Sequence, residues 1–181
     1  QLEAEGYCAV GNRFVRDSEA MVPLIEAKMV NLYNHRYGDF ALLSEGQREH
    51  ILPQVPDSLL ADPHYLTIGR YWVPLDAVAA NTQTEWKHEW FLGWRDITDA
   101  RSSVRTVIAS VVPRVGFGNT VPLMFPTVEP IRAACLLASL SSYVLDYAAR
   151  QKVGGTHLTY NYLKQLPVLP PSTYDAIYPW T

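Results

Sequence analysis

Two cysteines are all this chain carries, Cys8 and Cys135, 127 positions apart. That is too few for a disulfide framework and too distant for a metal-binding pair, so a reducing cytoplasm is the expected setting. Short reaction signatures are missing as well: there is no G-x-G-x-x-G, P-loop, H-E-x-x-H or G-x-S-x-G. Neither the Asn/Asp-Pro-Pro-Tyr/Phe signature of amino-methyltransferases nor a glycine-rich loop for S-adenosylmethionine occurs. The histidines (His35, His50, His64, His88, His157) stand at no metal-ligand spacing to cysteine, so no metal is expected. Long apolar runs are lacking: residues 131–149 are interrupted by Arg132, Ser139, Ser141, Ser142 and Asp146, whereas a bilayer span needs about 20 apolar residues with few charges. Internal repeats and low-complexity tracts are absent. These gaps exclude collagen-like, coiled-coil, zinc-finger and multi-disulfide proteins, and residues 131–149 are expected to form a soluble helix. Gln1 stands first with no charged-then-apolar leader behind it, which predicts a piece of a longer polypeptide.

What is present suffices for a folded domain. The 181 residues are 48% apolar and 18% charged, one domain's worth of core material. The 5 Trp and 11 Tyr are a generous aromatic supply, and Tyr65, Trp72, Trp86, Trp90, Phe91 and Trp94 are expected mainly in the core. Overall charge is −3, but unevenly spread: residues 1–99 hold 15 acidic and 8 basic side chains, residues 100–164 hold 2 and 7. A basic C-terminal half in an acidic chain suits one polyanion-facing side, or simply a solvated surface.

The 13 prolines act as punctuation and favour many short elements. Residues 6–22 read as irregular or short strands, 24–33 as strand or helix, and 44–63 as a long connecting loop. Strands are predicted at 65–73, 90–97, 106–112 and 121–125, with a turn at Gly116, Gly118 and Asn119. The clearest element is one long helix over 130–152, in which Ala133, Leu136, Leu137, Leu140, Val144 and Tyr147 form an apolar stripe. Thr127 is its expected N-cap, Arg150 and Lys152 complement its negative end, and Gly154 is the left-handed residue that stops it. The fold class is therefore α+β, a mixed or antiparallel sheet of short strands with one long C-terminal helix.

The nearest approach to a catalytic pattern is Glu26-x-Lys28, the tail of the Pro-Asp…(Asp/Glu)-x-Lys nuclease motif in which carboxylates hold Mg²⁺. Asp17 is the available upstream carboxylate, though no proline precedes it. A surface ion pair is the plainer reading of the same residues.

Several segments taken together point elsewhere. Residues 23–30, Pro-Leu-Ile-Glu-Ala-Lys-Met-Val, followed by Asn34-His35-Arg36-Tyr37, resemble the P-L-Y-E-G-K-M…D-H-R-F segment of large bacterial adenine-specific DNA methyltransferases of restriction-modification systems. Trp94-Arg95-Asp96-Ile97-Thr98 with Arg105-Thr106 through Pro113 is similar to that family's W-R-D-I…R-T…I-P block. Residues 146–158, ending Gly154-Gly155-Thr156-His157-Leu158, with Gln165-Leu166-Pro167 to Pro171, resemble its D…R-x-K…T-H-L…Q-L-P-V-P-P ending. The blocks run in order over residues 21–171 and match the target-recognition domain that follows the catalytic domain. Ala27 departs from the pattern, which often has glycine there.

The resemblance implies a lead-in linker at 1–22 from a missing upstream catalytic domain, a target-recognition domain at 23–171, and a tail at 172–181. It implies a parent enzyme that methylates adenine in double-stranded DNA and possesses S-adenosylmethionine only in that upstream domain, so this piece alone is expected to be non-catalytic and without cofactor. A protein-docking domain and the Mg²⁺ nuclease remain as alternatives. The expected DNA-binding residues lie in three groups. Arg150, Lys152, Gly154, Gly155, Thr156, His157, Thr159 and Asn161 combine charge, close backbone approach and varied hydrogen-bonding groups, with Asn161 suited to adenine. Arg101 and Arg105 suit phosphate or guanine, or an ion pair with Asp96 or Asp99. His35 and Arg36 are placed against the backbone from the other side.

Overall fold

Two-residue turns open the fold. Gly11, with φ of 57°, and Asp17, with φ of 52°, adopt the left-handed backbone that tight hairpins need. They join β1 (Cys8–Val10), β2 (Arg13–Arg16) and β3 (Glu19–Ile25) into an antiparallel meander. The computed structural model describes residues 1–82, 86–100 and 103–177. The boundary expected between residues 22 and 23 falls inside β3, so the stretch before it is part of a sheet. After β3 the chain makes a single turn at Ala27–Met29 and enters the long loop, which contains a 3₁₀ turn at Phe40–Leu42 and a one-turn helix, α1 (Asp57–Leu60). It returns as β4 (Tyr71–Pro74), antiparallel to β3, and continues directly into α2 (Leu75–Thr82).

A second, three-stranded antiparallel sheet is built around β5 (Trp90–Trp94), flanked by β6 (Ala109–Pro113) and β8 (Leu123–Met124). Between these last two, β7 (Gly116–Phe117) joins β3 in parallel, which ties the two sheets together and makes the first one mixed. Gly116 is required there: a Cβ would sit 2.4 Å from a Val73 methyl carbon. The helices α3 (Pro130–Leu140), α4 (Tyr143–Lys152) and α5 (Tyr160–Leu163) complete an α+β fold.

Because side chains alternate along a strand, β5 serves two cores. Leu92 and Trp94 enter a cluster with Val107, Ala133, Leu137 and Leu145 from the helix side. Phe91 faces a second cluster with Val22, Ile25, Met29 and Val112, between the sheets. Both clusters meet at β5, so the C-terminal end of that strand is firmly packed on two faces.

The expected single helix is broken in two. Ser141 ends α3, and Ser142 caps α4, its hydroxyl accepting from the Leu145 N–H at 3.2 Å. The break re-phases the stripe: Leu145 and Ala149 enter the core, while Val144 and Tyr147 are left 82% and 69% exposed. Thr127 does not cap α3, whose N-cap position is Glu129 followed by Pro130. Gly154 is not left-handed; Val153 turns extended and is buried beside Leu158, and that burial stops α4.

The long loop is held by two side chains of the Asn34-His35-Arg36-Tyr37 region. Arg36 donates from Nη1 to the carbonyls of Asp62 and Tyr65, at 2.8 and 3.0 Å, and from Nη2 to that of Leu60 at 2.9 Å. Asp39 is fully buried and accepts from the Ala41 N–H at 2.8 Å, the Ile68 N–H at 3.1 Å and the Tyr65 hydroxyl at 2.6 Å. Burial, with the Asp39 hydrogen bond second, pushes the Tyr65 hydroxyl up to about 12.

Candidate functional site

From the end of α4 to α5 the chain forms an exposed rim on a rigid base. Its backbone pairs with the segment that follows β5. The Thr98 N–H donates to the Thr156 carbonyl at 2.9 Å, and the Leu158 N–H donates to the Asp96 carbonyl at 2.7 Å. Leu158 is fully buried, and the Trp94 indole N–H donates to its carbonyl at 2.8 Å. The Tyr160 ring packs edge-on to Trp94 at 4.7 Å, and its hydroxyl donates to the Leu123 carbonyl. Burial pushes that hydroxyl above its ordinary range. Trp94, Leu158 and Tyr160, with Val153 also buried, thus pin a segment whose polar side chains face water.

Those free side chains are the ones of interest. Lys152, Thr156, Thr159 and Asn161 are exposed and none makes a side-chain contact with a described residue; Gly154 and Gly155 are also exposed, with open space where a Cβ would be. His157 is 57% exposed and its Nδ1 lies 2.7 Å from Asp96 Oδ2, which fixes the ring's orientation. Lys164 continues the positive edge, its ammonium 5.9 Å from the centre of the Tyr160 ring. Amide, hydroxyl, imidazole and ammonium groups are therefore held on one anchored strip, with no acidic side chain among residues 147–164.

The arginines behave differently from the sequence-based expectation. Arg150 donates from Nη2 to the carbonyls of Ser103 and Val104, both at 2.9 Å, and lies 3.7 Å from Asp146. One third of its side chain stays exposed, so it is first a brace and only its outer edge is open. Arg105 is 11% exposed and pairs neither with Asp96 nor with Asp99. It lies 3.4 Å from Asp146, donates to the Ser141 and Ser142 carbonyls and stacks 4.6 Å from the Tyr143 ring centre. It neutralises the carbonyl end of α3 and is not available to a base edge. Arg36, committed to three loop carbonyls, is likewise not a backbone-contacting residue. Arg101 lies outside the described residues.

Asp146, not singled out as a site residue from sequence, organises this region. It is 5% exposed, and its Oδ1 accepts from the N–H groups of Thr106 and Val107, each at 2.8 Å. With Arg105 and Arg150 on either side it locks α4 to the segment leading into β6. The only sequence signal was an acidic residue on the inward face of a helix four positions before an arginine.

Glu26 and Lys28 form the plain ion pair, at 3.1 Å, and Lys28 also donates to the Glu49 carbonyl at 2.7 Å. Asp17 sits at the far end of β3 from Glu26, about 30 Å away at about 3.3 Å per residue, so the two cannot share an ion. No group of three potential metal ligands occurs among the described residues. Ala27 is 6% exposed, which removes it from any DNA-facing surface.

His35 is half-buried, and burial, with Arg36 second, lowers its pKa below the ordinary 6.5. The unfolded chain then binds a proton that the folded chain resists, so stability is complete above pH about 6.5 and declines as pH falls below it. His35→Gln is expected to flatten that slope, measured as the urea midpoint between pH 7.5 and pH 5; an unchanged slope rejects His35 as its source.

No family model, curated protein or solved structure matches this chain.

Proposed function

We propose that this chain is a recognition domain for double-stranded DNA that directs adenine methylation by a larger enzyme of the restriction-modification kind, working in the cytoplasm. The observation that carries the reading is the anchored rim over residues 152–164. The ordered sequence resemblance puts its reading segment there, and that strip offers cationic and amide side chains that make no hydrogen bond or ion pair with a described residue. Phosphate contacts position such a domain and base-edge contacts specify sequence. Lys152 and Lys164 are suited to the first task and Asn161 to the second, since an amide pairs bidentately with adenine. S-adenosylmethionine belongs to the upstream domain in this reading, and no residue here is assigned to it. No helix among the described residues is long and apolar enough to cross a membrane.

Lys152→Ala is the cleaner test, because Arg150→Ala would also release the carbonyls of Ser103 and Val104. In the parent enzyme, Lys152→Ala should weaken binding to all duplexes alike and reduce the slope of log affinity against log salt by about 1. Asn161→Ala should leave that slope alone and relax preference at one base position, worth about 1–3 kcal/mol. Sequencing of methylated adenines reads the second outcome and fluorescence anisotropy the first. Wild-type affinity, salt slope and base preference in both variants would remove the rim from the interface.

One observation favours a second reading, protein docking: Val104, Tyr143, Val144 and Tyr147 are 90%, 81%, 82% and 69% exposed. Tyrosine-rich apolar surface is the composition of protein interfaces. A parent enzyme whose methylation pattern does not change when this domain is exchanged would leave docking as the better account.

A further inference from the structure

Every half-buried arginine of the described chain except one has an acceptor. Arg16 has Glu19, Arg36 its three carbonyls, Arg105 and Arg150 Asp146, Arg114 Glu89, and Arg132 Asp175. Arg95 has none among the described residues: its guanidinium makes no hydrogen bond or ion pair, and although its Nε is sealed from solvent, as is that of Arg105, its Nη1 and Nη2 stay open to the outside. A guanidinium cannot shed its charge, so half-burying it with no protein acceptor carries a desolvation cost that no contact within the chain offsets. Burial accordingly drags its pKa below the ordinary range, the neighbouring Tyr37 pushing the other way.

The place is as informative as the deficit. Arg95 directly follows β5, and its backbone N–H donates to the Ile108 carbonyl at 2.9 Å. The next strand position, Ala109, accepts from the Tyr33 N–H at 3.2 Å, which brings the 33–37 loop over the same end of the sheet. The His35 imidazole and Tyr37 hydroxyl in that loop also have no side-chain hydrogen bond to a described residue. One residue beyond Arg95, Asp96 anchors Leu158 and orients His157, so the unpartnered arginine adjoins the rim's own foundation.

We infer that Arg95 is an anion-binding residue, its guanidinium left unpaired within the chain so that it can take a phosphate oxyanion from outside, with the 33–37 loop beside it. Under the proposed function, on which this assignment rests for its biological ligand, the oxyanion is a backbone phosphate of the duplex. Arg36, which sequence alone offers for that task, is committed to the loop, and Arg95 takes its place. A planar fork of donors matches two phosphate oxygens at once, which a lysine does not.

Arg95→Met and Arg95→Lys test this in two arms. In the first, this chain is titrated with inorganic phosphate against chloride at matched ionic strength, and thermal unfolding is followed. The wild type should gain Tm with phosphate, and Arg95→Met should lose that response while its own Tm in chloride is unchanged or raised, because an uncompensated charge has been removed. A fall in Tm in chloride with the phosphate response intact overturns the inference, since it makes Arg95 an internal brace. In the second arm, Arg95→Met in the parent enzyme should bind every duplex about tenfold more weakly, as befits one charge-assisted contact, with the salt slope shallower by about 1. Arg95→Lys should restore the slope but only part of the affinity. A loss confined to one base position would make Arg95 a guanine reader and overturn the phosphate assignment. Phosphate binding lost in Arg95→Met, with no duplex bound by wild-type enzyme, sinks the DNA reading and leaves the anion site standing. Duplex binding and phosphate response both identical in wild type and Arg95→Met sink the anion site and leave the DNA reading standing.

Discussion

Asp146→Ala is expected to cost about 3–5 kcal/mol, the range for removing one partner from a buried, hydrogen-bonded charge pair. Three separate debts follow from the one change. The Thr106 and Val107 N–H groups, both buried, lose the oxygen that accepts from each at 2.8 Å. Arg105, only 11% exposed, loses the carboxylate at 3.4 Å that balances it. Arg150 loses a charge 3.7 Å away and keeps only its two carbonyls. In a chain of this length 1 kcal/mol corresponds to about 2–4 °C, so Tm should fall by on the order of 10 °C. Asp146→Asn separates the components: its amide oxygen still accepts from the two N–H groups, but the charge is gone, so the loss should be about half as large. Arg105→Met should cost less than Asp146→Ala, since the carboxylate retains both N–H donors and Arg150. An Asp146→Ala loss under 1 kcal/mol in urea unfolding would mean that the helix break is held by packing alone.

That same residue shows what sequence could and could not reveal. β5 was legible because its bulky residues are apolar on both faces, as a strand between two cores must be, whereas β6, at the edge of its sheet with Val111 exposed, was marked by its run of small and β-branched residues. That the chain leaves its helix near residue 153 was legible from the Gly154-Gly155 pair, although Gly154 is not left-handed. The break at Ser141 and Ser142 was not, because neither residue stops a helix unless something satisfies the freed carbonyls, and that something, Arg105, lies 36 positions away. Arg36, Arg105 and Arg150 read as surface cations since charged residues are usually solvated. Here each instead serves carbonyl groups that their segments cannot pair internally, a long-range requirement with no local signature. Asp39 escaped notice for the same reason, and Asp146 was noticed only as a break in an apolar run and as part of the D…R-x-K block, not for the contacts it makes. α2 is short and only weakly amphipathic, and β1 is exposed and β2 only partly buried, so hydrophobic periodicity marks none of them and residues 6–22 read no more sharply than irregular or short strands.

Trp94→Ala joins the two halves of the account, stability and recognition. The side chain is fully buried in the helix-side core, and emptying that volume should cost about 3–5 kcal/mol. Its indole N–H, however, holds the rim itself, through the Leu158 carbonyl at 2.8 Å, and its ring supports Tyr160 at 4.7 Å. Trp94→Phe keeps most of the packing and removes only the donor, leaving a buried carbonyl unpaired at about 1–3 kcal/mol. The smaller change is the more telling one. If the rim is presented to DNA by this anchor, Trp94→Phe should speed hydrogen exchange at the Leu158 and Thr98 amides, whose partners are the Asp96 and Thr156 carbonyls, while amides in β1–β4 stay as protected as before. Base preference should then loosen along with the exchange, because a reading segment that opens pays its ordering entropy at each binding event. Faster exchange spread evenly over both sheets would instead show Trp94 acting on global stability, and a rim that stays protected without the indole donor would show that the Asp96–Leu158 and Thr98–Thr156 pairs hold it unaided.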